Sequence, residues 1–159
     1  MNVKILCVGK IKEKFYRDAI LEYSKRLSKY CNLQIIEVAD EKTSETASTN
    51  EMEIVKNKEG ERLLKHLKER DFVIALAIQG TQQDSVAFSK YIENLGLTGN
   101  SSVAFVIGGS LGLSNDLLAR SDAQISFSKM TFPHQLMRVI LLEQIYRAMR
   151  IMNNEPYHK

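Results

Sequence analysis

Five short segments rich in Val and Ile alternate along the chain with longer stretches whose apolar residues have helical spacing. Three of the five are nearly continuous apolar runs, the pattern of strands covered on both faces, as in a parallel sheet between helices. The predicted strands are Val3–Val8, Leu33–Val38, Phe72–Ile78, Ser102–Ile107 and Ala123–Phe127. The pattern predicts a single-domain α/β fold over residues 1–159, with a mostly parallel five-stranded sheet flanked by helices through right-handed crossovers.

The first helix is predicted over residues 12–30 and is amphipathic. Apolar and aromatic side chains share one arc of its helical wheel: Phe15, Tyr16, Ala19, Ile20, Tyr23, Leu27 and Tyr30. Basic side chains share the opposite arc: Lys14, Arg17, Lys25 and Lys29. We expect the apolar arc to pack on the sheet and the basic arc to face outward, either as ordinary solvated surface or as a surface that contacts phosphates.

Residues 40–49 contain one apolar residue and are predicted to form a mobile loop. A helix is predicted to follow from Asn50, which forms a capping-box pattern with Glu53, to about Glu69. Gly60 lies inside this helix, where it costs about 1 kcal/mol relative to Ala. The sequence offers no reason for that glycine.

The last helix is predicted from Pro133 at its first position to Met152, and apolar residues cover most of its wheel. Its polar stripe is narrow: Glu143, Arg147 and Arg150. One sheet face cannot cover so wide an apolar arc, so we expect a second surface, most simply a two-fold mate. Arg138 lies inside that arc, and a buried arginine must be paired, so it serves either an interface salt bridge or a substrate.

Composition and charge narrow the class of protein. The 159 residues carry a net charge of +3, with basic ends (residues 1–30 and 129–159) and an acidic middle, which would suit phosphate binding if the ends meet. The two cysteines have no CxxC spacing and suit a reducing cytoplasm. The three histidines are scattered, so no metal site is predicted. No apolar run approaches the roughly 20 residues of a membrane span.

Candidate chemistry lies at three predicted strand ends, because ligands of open parallel sheets bind at the carboxyl ends of strands. The three turns cover residues Leu76–Gly80, Ile107–Ser114 and Phe127–His134. The middle turn is rich in glycine but matches neither G-x-G-x-x-G nor a Walker loop, which disfavours dinucleotide and triphosphate sites. Taken alone, its glycines are better explained by a structural turn than by a ligand site. No G-x-S-x-G elbow is present to support a serine hydrolase.

These turns also carry a resemblance. The segments LAIQG, VIGGSLGLS, FSKMTFPHQLMRVILLEQIYRA and NNEPYHK closely resemble the small bacterial pseudouridine N3-methyltransferases of 23S rRNA, in the SPOUT or α/β-knot superfamily. The likeness covers essentially the whole chain, including the EGERLL helix. It implies a C-terminal trefoil knot, an exception to the usual absence of knots. It also implies a homodimer that methylates N3 of a pseudouridine, with a preference for the assembled ribosome over naked RNA.

The resemblance further implies S-adenosylmethionine as cofactor. Matched residue by residue, its binding positions are Leu76, Gly108, Phe127, Ser128, Lys129, Met130, Thr131 and Phe132. A glycine at 108 would let the cofactor approach the backbone closely.

Methyl transfer to N3 needs aligned reactants and a group that accepts or stabilises a proton. His134 and Arg138 follow the cofactor segment and are the first candidates, with Tyr157 and His158 of the tail next. Either histidine could instead be a capping or packing residue. Two other functions remain open at this point: a non-catalytic RNA- or ribosome-binding α/β protein, and a small nucleotide- or flavin-binding protein.

Overall fold

The computed structural model describes residues 1–159, which form five strands and five helices in strict alternation. The strands are β1 (Asn2–Val8), β2 (Asn32–Val38), β3 (Phe72–Thr81), β4 (Ser102–Ile107) and β5 (Ala123–Ile125). The helices are α1 (Lys14–Leu27), α2 (Thr49–Leu64), α3 (Ser85–Leu97), α4 (Asn115–Arg120) and α5 (His134–Met152). None of the helices is long and apolar enough to cross a membrane.

The five strands form one parallel sheet in the order β2-β1-β4-β3-β5, which confirms the predicted architecture. Alternate side chains of each strand enter opposite cores. Ile5 and Phe105 face the larger core under α1, α3 and α5, whereas Leu6 and Val106 face the smaller core under α2 and α4. The trefoil knot stays a prediction, because strand order and register do not describe threading.

The amino ends of the strands are joined by a buried ionic cluster. Asp71, just before β3, accepts hydrogen bonds from Lys4 Nζ at 2.7 Å and from Ser102 Oγ at 2.7 Å. Its side chain is fully buried. The cluster therefore ties β1, β3 and β4 together at the edge of the sheet opposite the three candidate turns.

Helix α2 begins two residues earlier than predicted and ends earlier too. Ser48 is its N-cap and accepts a hydrogen bond from the Glu51 N–H, so the predicted cap at Asn50 was wrong. Gly60 now has a reason: a Cβ at this position would collide with the Ser114 hydroxyl oxygen. The glycine lets α2 lie directly against the N-cap of α4.

Helix α5 lies between α1 and α3, which pack along its two sides. Seven of its residues are buried within one chain: Arg138, Leu141, Leu142, Ile145, Tyr146, Ala148 and Met149. The other apolar residues of the arc, among them Leu136, Val139 and Ile140, are only half-buried, so the expectation of a second covering surface stays a prediction. Phe15, predicted to face the sheet, is instead 63% exposed and packs on Tyr16.

Candidate functional site

The three candidate turns follow three neighbouring strands. Since β4, β3 and β5 are adjacent and parallel, their carboxyl ends lie at one edge of the sheet. The strand order therefore brings together the turns after residues 76, 107 and 125, as ligand sites of open α/β sheets require.

The turn after Leu76 is a bulge within an extended strand. Leu76 and Thr81 both pair with Ile125, so the four residues between them leave the ladder. The Thr81 carbonyl then accepts a hydrogen bond from the Ser126 N–H at 3.0 Å. A Cβ on Gly80 would lie 2.6 Å from the Ile125 carbonyl carbon, so only glycine allows this close pairing. The sequence pattern predicted β3 only to Ile78, because it does not show such a bulge.

The glycine-rich turn after β4 is explained by its own backbone. A Cβ on Gly108 would lie 2.8 Å from the carbonyl carbon of Gly112. Gly112 itself has a φ of +89°, which side chains disfavour. The backbone contacts and conformation of the turn are therefore enough to explain these glycines, and a cofactor is not needed to explain Gly108.

The segment after β5 borders a cleft with a volume of about 540 Å³. Phe127 and Phe132 line this cleft together with Ile140 and Gln144 of α5 and with His158 of the tail. Gln83, Asp84 and Ser85 line its other side. The Ser128 hydroxyl accepts a hydrogen bond from the Met130 N–H at 2.9 Å, which shapes the turn and leaves Met130 exposed.

The candidate cofactor residues are therefore only partly gathered in one place. Phe127 and Phe132 face the cleft, and the residues between them form the connecting turn. Leu76 and Gly108 are absent from the cleft lining; Leu76 packs against the larger core instead.

Arg138 is held inside the chain. Its guanidinium donates to the Glu37 carboxylate at 2.6 Å and to the carbonyl oxygens of Val8 and Gly9 at 3.0 and 2.7 Å. The side chain is 2% exposed. Both sequence-based roles assumed a partner outside the chain, whereas the partners found join α5 to the ends of β1 and β2.

His134, one turn before Arg138, lies beside Gly9. A Cβ on Gly9 would be 3.8 Å from the imidazole Nε2. Burial lowers the pKa of His134, and the positive charges of Arg138 and Lys12 lower it further, against an opposing effect of Asp40. The neutral imidazole, which can accept a proton, is therefore favoured at neutral pH.

The polar stripe of α5 holds the C-terminal tail. Tyr157 donates a hydrogen bond to Glu143 at 3.0 Å, and Arg147 pairs with the same carboxylate at 2.7 Å. The Arg147 guanidinium also lies over the Tyr157 ring at 4.7 Å and contacts His158 Nδ1 at 3.3 Å. Burial, together with the bond to Glu143, raises the pKa of Tyr157 to about 12, so its phenol stays protonated.

The four catalytic candidates thus form two groups in one chain. His134 and Arg138 lie at the start of α5, whereas Tyr157 and His158 pack against Glu143 and Arg147 near its middle. At 1.5 Å per residue, the start of the helix and Glu143 are roughly 13 Å apart along its axis. A single chain does not bring the two groups to one point.

Sequence reasoning missed two carboxylates at this edge of the sheet. One is Glu37, which pairs with Arg138; its position between Ile36 and Val38 in a strand gave no sign of that role.

The other carboxylate is that of Glu59, which is buried in α2. It accepts the Glu41 N–H at 3.0 Å and borders Gly109. Its position four residues before the buried Leu63 was the available signal, since residues four apart share a helix face. Burial raises the pKa of Glu59. No cluster of His, Cys, Asp and Glu could hold a metal ion.

Known proteins resemble this chain over essentially its whole length. A family model described as a predicted SPOUT methyltransferase matches residues 1–158. A protein of Clostridium botulinum (strain Hall) named Ribosomal RNA large subunit methyltransferase H is 64% identical over 159 residues, covering both chains fully. A protein of the same name from Clostridium kluyveri (strain ATCC 8527) is 57% identical, again over both full chains.

The fold has a solved counterpart as well. The structure of a probable methylase family protein from Haemophilus influenzae Rd KW20 matches with a TM-score of 0.56 at 12% identity. The match covers 99% of this chain and 70% of the other, and at this identity it supports the fold alone.

Proposed function

Because the chain belongs to the SPOUT methyltransferase family, we propose that it is an S-adenosylmethionine-dependent methyltransferase of 23S rRNA. Its target would be N3 of a pseudouridine, reached on the assembled ribosome in the cytoplasm. The observation that carries the proposal is the full-length likeness to a protein named Ribosomal RNA large subunit methyltransferase H. The three turns at one sheet edge add structural support.

The residues at this edge fit the cofactor. The cleft is of the size of small-molecule sites, about 300–1,000 Å³ in general, and its aromatic walls at Phe127 and Phe132 suit a flat adenine ring. The backbone groups of Lys129 and Thr131, which make no hydrogen bond within the chain, can read the edges of such a ring. Leu76 and Gly108 do not line the cleft itself, and as residues of the neighbouring strand ends they stay proposed contacts. When bound, the cofactor supplies an electrophilic methyl group on a sulfonium.

His134 is the residue we propose to accept the N3 proton. Its lowered pKa favours the neutral form, and a base must be free of its proton to work. The Nη atoms of Arg138 are occupied by Glu37, Val8 and Gly9, so this residue acts by depressing the pKa of His134 and fixing its surroundings. Tyr157 and His158 of the tail would complete the site by contacting the base or the donor.

A homodimer would complete the geometry. The two groups of candidates are separated along α5 of one chain, and a two-fold pairing of α5 helices could place the tail of one copy beside the His134 end of the other. The exposed Phe15 and the partly open residues at the start of α5 offer apolar surface for that pairing.

The test is mass spectrometry of 23S rRNA from cells with and without the protein. We expect one methyl group on one pseudouridine to disappear and to return with the wild-type chain. Calorimetry should show saturable binding of S-adenosylmethionine that Phe132→Ala weakens and Leu97→Ala, at the far end of α3, leaves unchanged. Gly108→Trp is a poor probe, because its side chain would disrupt the turn itself.

An unchanged rRNA methylation profile would overturn the proposal. Ribosome binding without saturable cofactor binding would instead favour the non-catalytic RNA-binding function, which the basic chain ends also suit.

A further inference from the structure

The turn between β1 and α1, residues 9–13, is exposed at Lys10, Lys12 and Glu13, yet it is held by three different elements. Arg138 of α5 binds the Gly9 carbonyl, and Gln135 accepts the Lys12 N–H at 3.1 Å. Glu37 of β2 accepts the Ile11 N–H at 3.2 Å. From α1 itself, Arg17 donates to the carbonyl oxygen of Lys12 at 3.0 Å. We call residues 9–13 the lysine turn.

The contact between Arg138 and this turn carries an energetic cost. Burying a guanidinium carries a large desolvation penalty that only good partners offset. All the hydrogen bonds of Arg138 go to Glu37 and to the carbonyls of Val8 and Gly9, and its Nε, also buried, has no partner. The guanidinium of Arg138 is therefore buried without a full set of hydrogen bonds, and it fixes the position of Gly9, where the lysine turn begins.

The fixed turn presents two free cations. Lys10 and Lys12 are exposed and form no ion pair, whereas Lys14, two residues on, is paired with Asp18 at 2.7 Å. Because the backbone is held, the two ammonium groups start from defined positions, which reduces the entropy lost when they bind a ligand.

The lysine turn also borders the proposed active site. It lies at the carboxyl end of β1, and Gln135, which it contacts, is the neighbour of His134. The charge of Lys12 is close enough to contribute to the lowered pKa of His134. A polyanion that crossed the lysine turn would therefore pass next to the proposed proton acceptor.

We propose that Lys10 and Lys12 bind the phosphate backbone of the rRNA beside the target base and so set its position over His134. This inference rests on the proposed function and identifies the surface through which the substrate is held. Phosphate contacts fix register and orientation while other groups act on the base, which is the division of labour expected here.

Salt dependence of ribosome binding tests the proposal. Ribosomes from cells lacking the protein would be titrated at 50–200 mM KCl and constant Mg²⁺. Each lost phosphate contact lowers the slope of log K against log[salt] by about 0.7–0.9. We expect Lys10→Ala/Lys12→Ala to bind about tenfold more weakly at the lowest salt with a slope smaller by about 1–2, and Lys10→Arg/Lys12→Arg to bind like the wild type.

The matched control is Lys65→Ala/Lys68→Ala, which removes two exposed lysines between α2 and β3, at the opposite edge of the sheet. This variant should keep the wild-type slope. All variants should bind S-adenosylmethionine with unchanged affinity, which also verifies that they fold. A wild-type slope in the Lys10/Lys12 variant, or an equal loss in the control, would overturn the inference.

A photo-crosslinker at Lys10→Cys, in a Cys31→Ser background, identifies the partner. Crosslinks to 23S rRNA support the inference, and crosslinks to ribosomal protein alone refute it. The two proposals fail separately. Absence of methyl transfer by the wild-type protein removes the proposed function, whereas normal transfer with unchanged salt dependence in the variant removes only the role of the lysine turn.

Discussion

Arg138 Nη1 lies 2.6 Å from a carboxylate oxygen of Glu37, a contact between residues 101 positions apart in the chain. The pair joins the first turns of the last helix to the second strand, and the same guanidinium holds the end of the first strand. The start of α5 is thereby fixed to the carboxyl edge of the sheet, where the candidate site lies.

Arg138→Met is expected to lower the free energy of unfolding by about 3 kcal/mol, because it removes the donor that binds the buried carbonyls of Val8 and Gly9 and the charged partner of Glu37. Urea unfolding measures the change. Lys14→Met, which breaks an exposed pair with Asp18, is the control and should cost less than about 0.5 kcal/mol. Equal costs for the two variants would show that Arg138 is not the structural clamp described.

Asp71→Asn should make the protein less stable at neutral pH and less sensitive to acid. Burial of the Asp71 carboxyl raises its pKa, but hydrogen bonds from Lys4, the Lys68 N–H and Ser102 outweigh burial and hold the pKa below its usual value. When the pKa of a carboxyl is lower in the folded state than in the unfolded state, its contribution to stability is complete at pH values above the unfolded-state pKa. That contribution is lost as the pH falls through the folded-state pKa.

The measurement for Asp71 is urea unfolding of both proteins from pH 7 to pH 2.5. The difference in stability between wild type and variant should shrink steadily below about pH 4. A difference that stays constant across that range would contradict the assignment.

Gly60→Ala should destabilise the protein, although the same change on an open helix stabilises it by up to about 1 kcal/mol. The new methyl group would collide with the Ser114 hydroxyl, and overpacking of this kind costs about 1–3 kcal/mol. Gly96→Ala is the control, because its methyl group meets only the flexible end of Met1. A double-mutant cycle with Ser114→Gly should recover most of the loss; additive effects would disprove the contact.

Glu143→Gln should release the C-terminal tail. The carboxylate accepts the Tyr157 hydroxyl and pairs with Arg147. Burial is the largest cause of the raised Tyr157 pKa and Glu143 the next, so release of the tail removes both and lowers this pKa from about 12 toward the ordinary value near 10. NMR titration of labelled tyrosine rings measures the shift, with Tyr157→Phe identifying the signal. We also expect methyl transfer to fall more than cofactor affinity. An unchanged titration of Tyr157 would show that Glu143 does not hold the tail.

The sequence predicted the sheet and the element order because buried parallel strands leave a strong apolar signal, as in the run from Val3 to Val8. It predicted boundaries less well where tertiary contacts decide them. The bulge that extends β3 to Thr81 depends on pairing with Ile125, and the N-cap at Ser48 competed with an equally plausible cap two residues later.

The candidate site could likewise be predicted only in part. The turns could be located because they follow strands, but the partner of Arg138 could not, since Glu37 lies on another strand 101 residues away. Gly60 is needed because it lies against Ser114, which is remote in the sequence. Gly108 is needed because it lies against Gly112 of the same turn. Local hydrophobic patterns in the sequence indicate which residues are buried, but they do not indicate which other residues they contact.

The ionic cluster around Asp71 and the candidate site occupy opposite rims of one sheet. Amino acid changes at the rim that holds the candidate site can therefore be made while the far rim keeps the strands assembled. An engineer who wished to retarget this enzyme to another nucleotide would begin with the exposed loops and leave that anchor untouched.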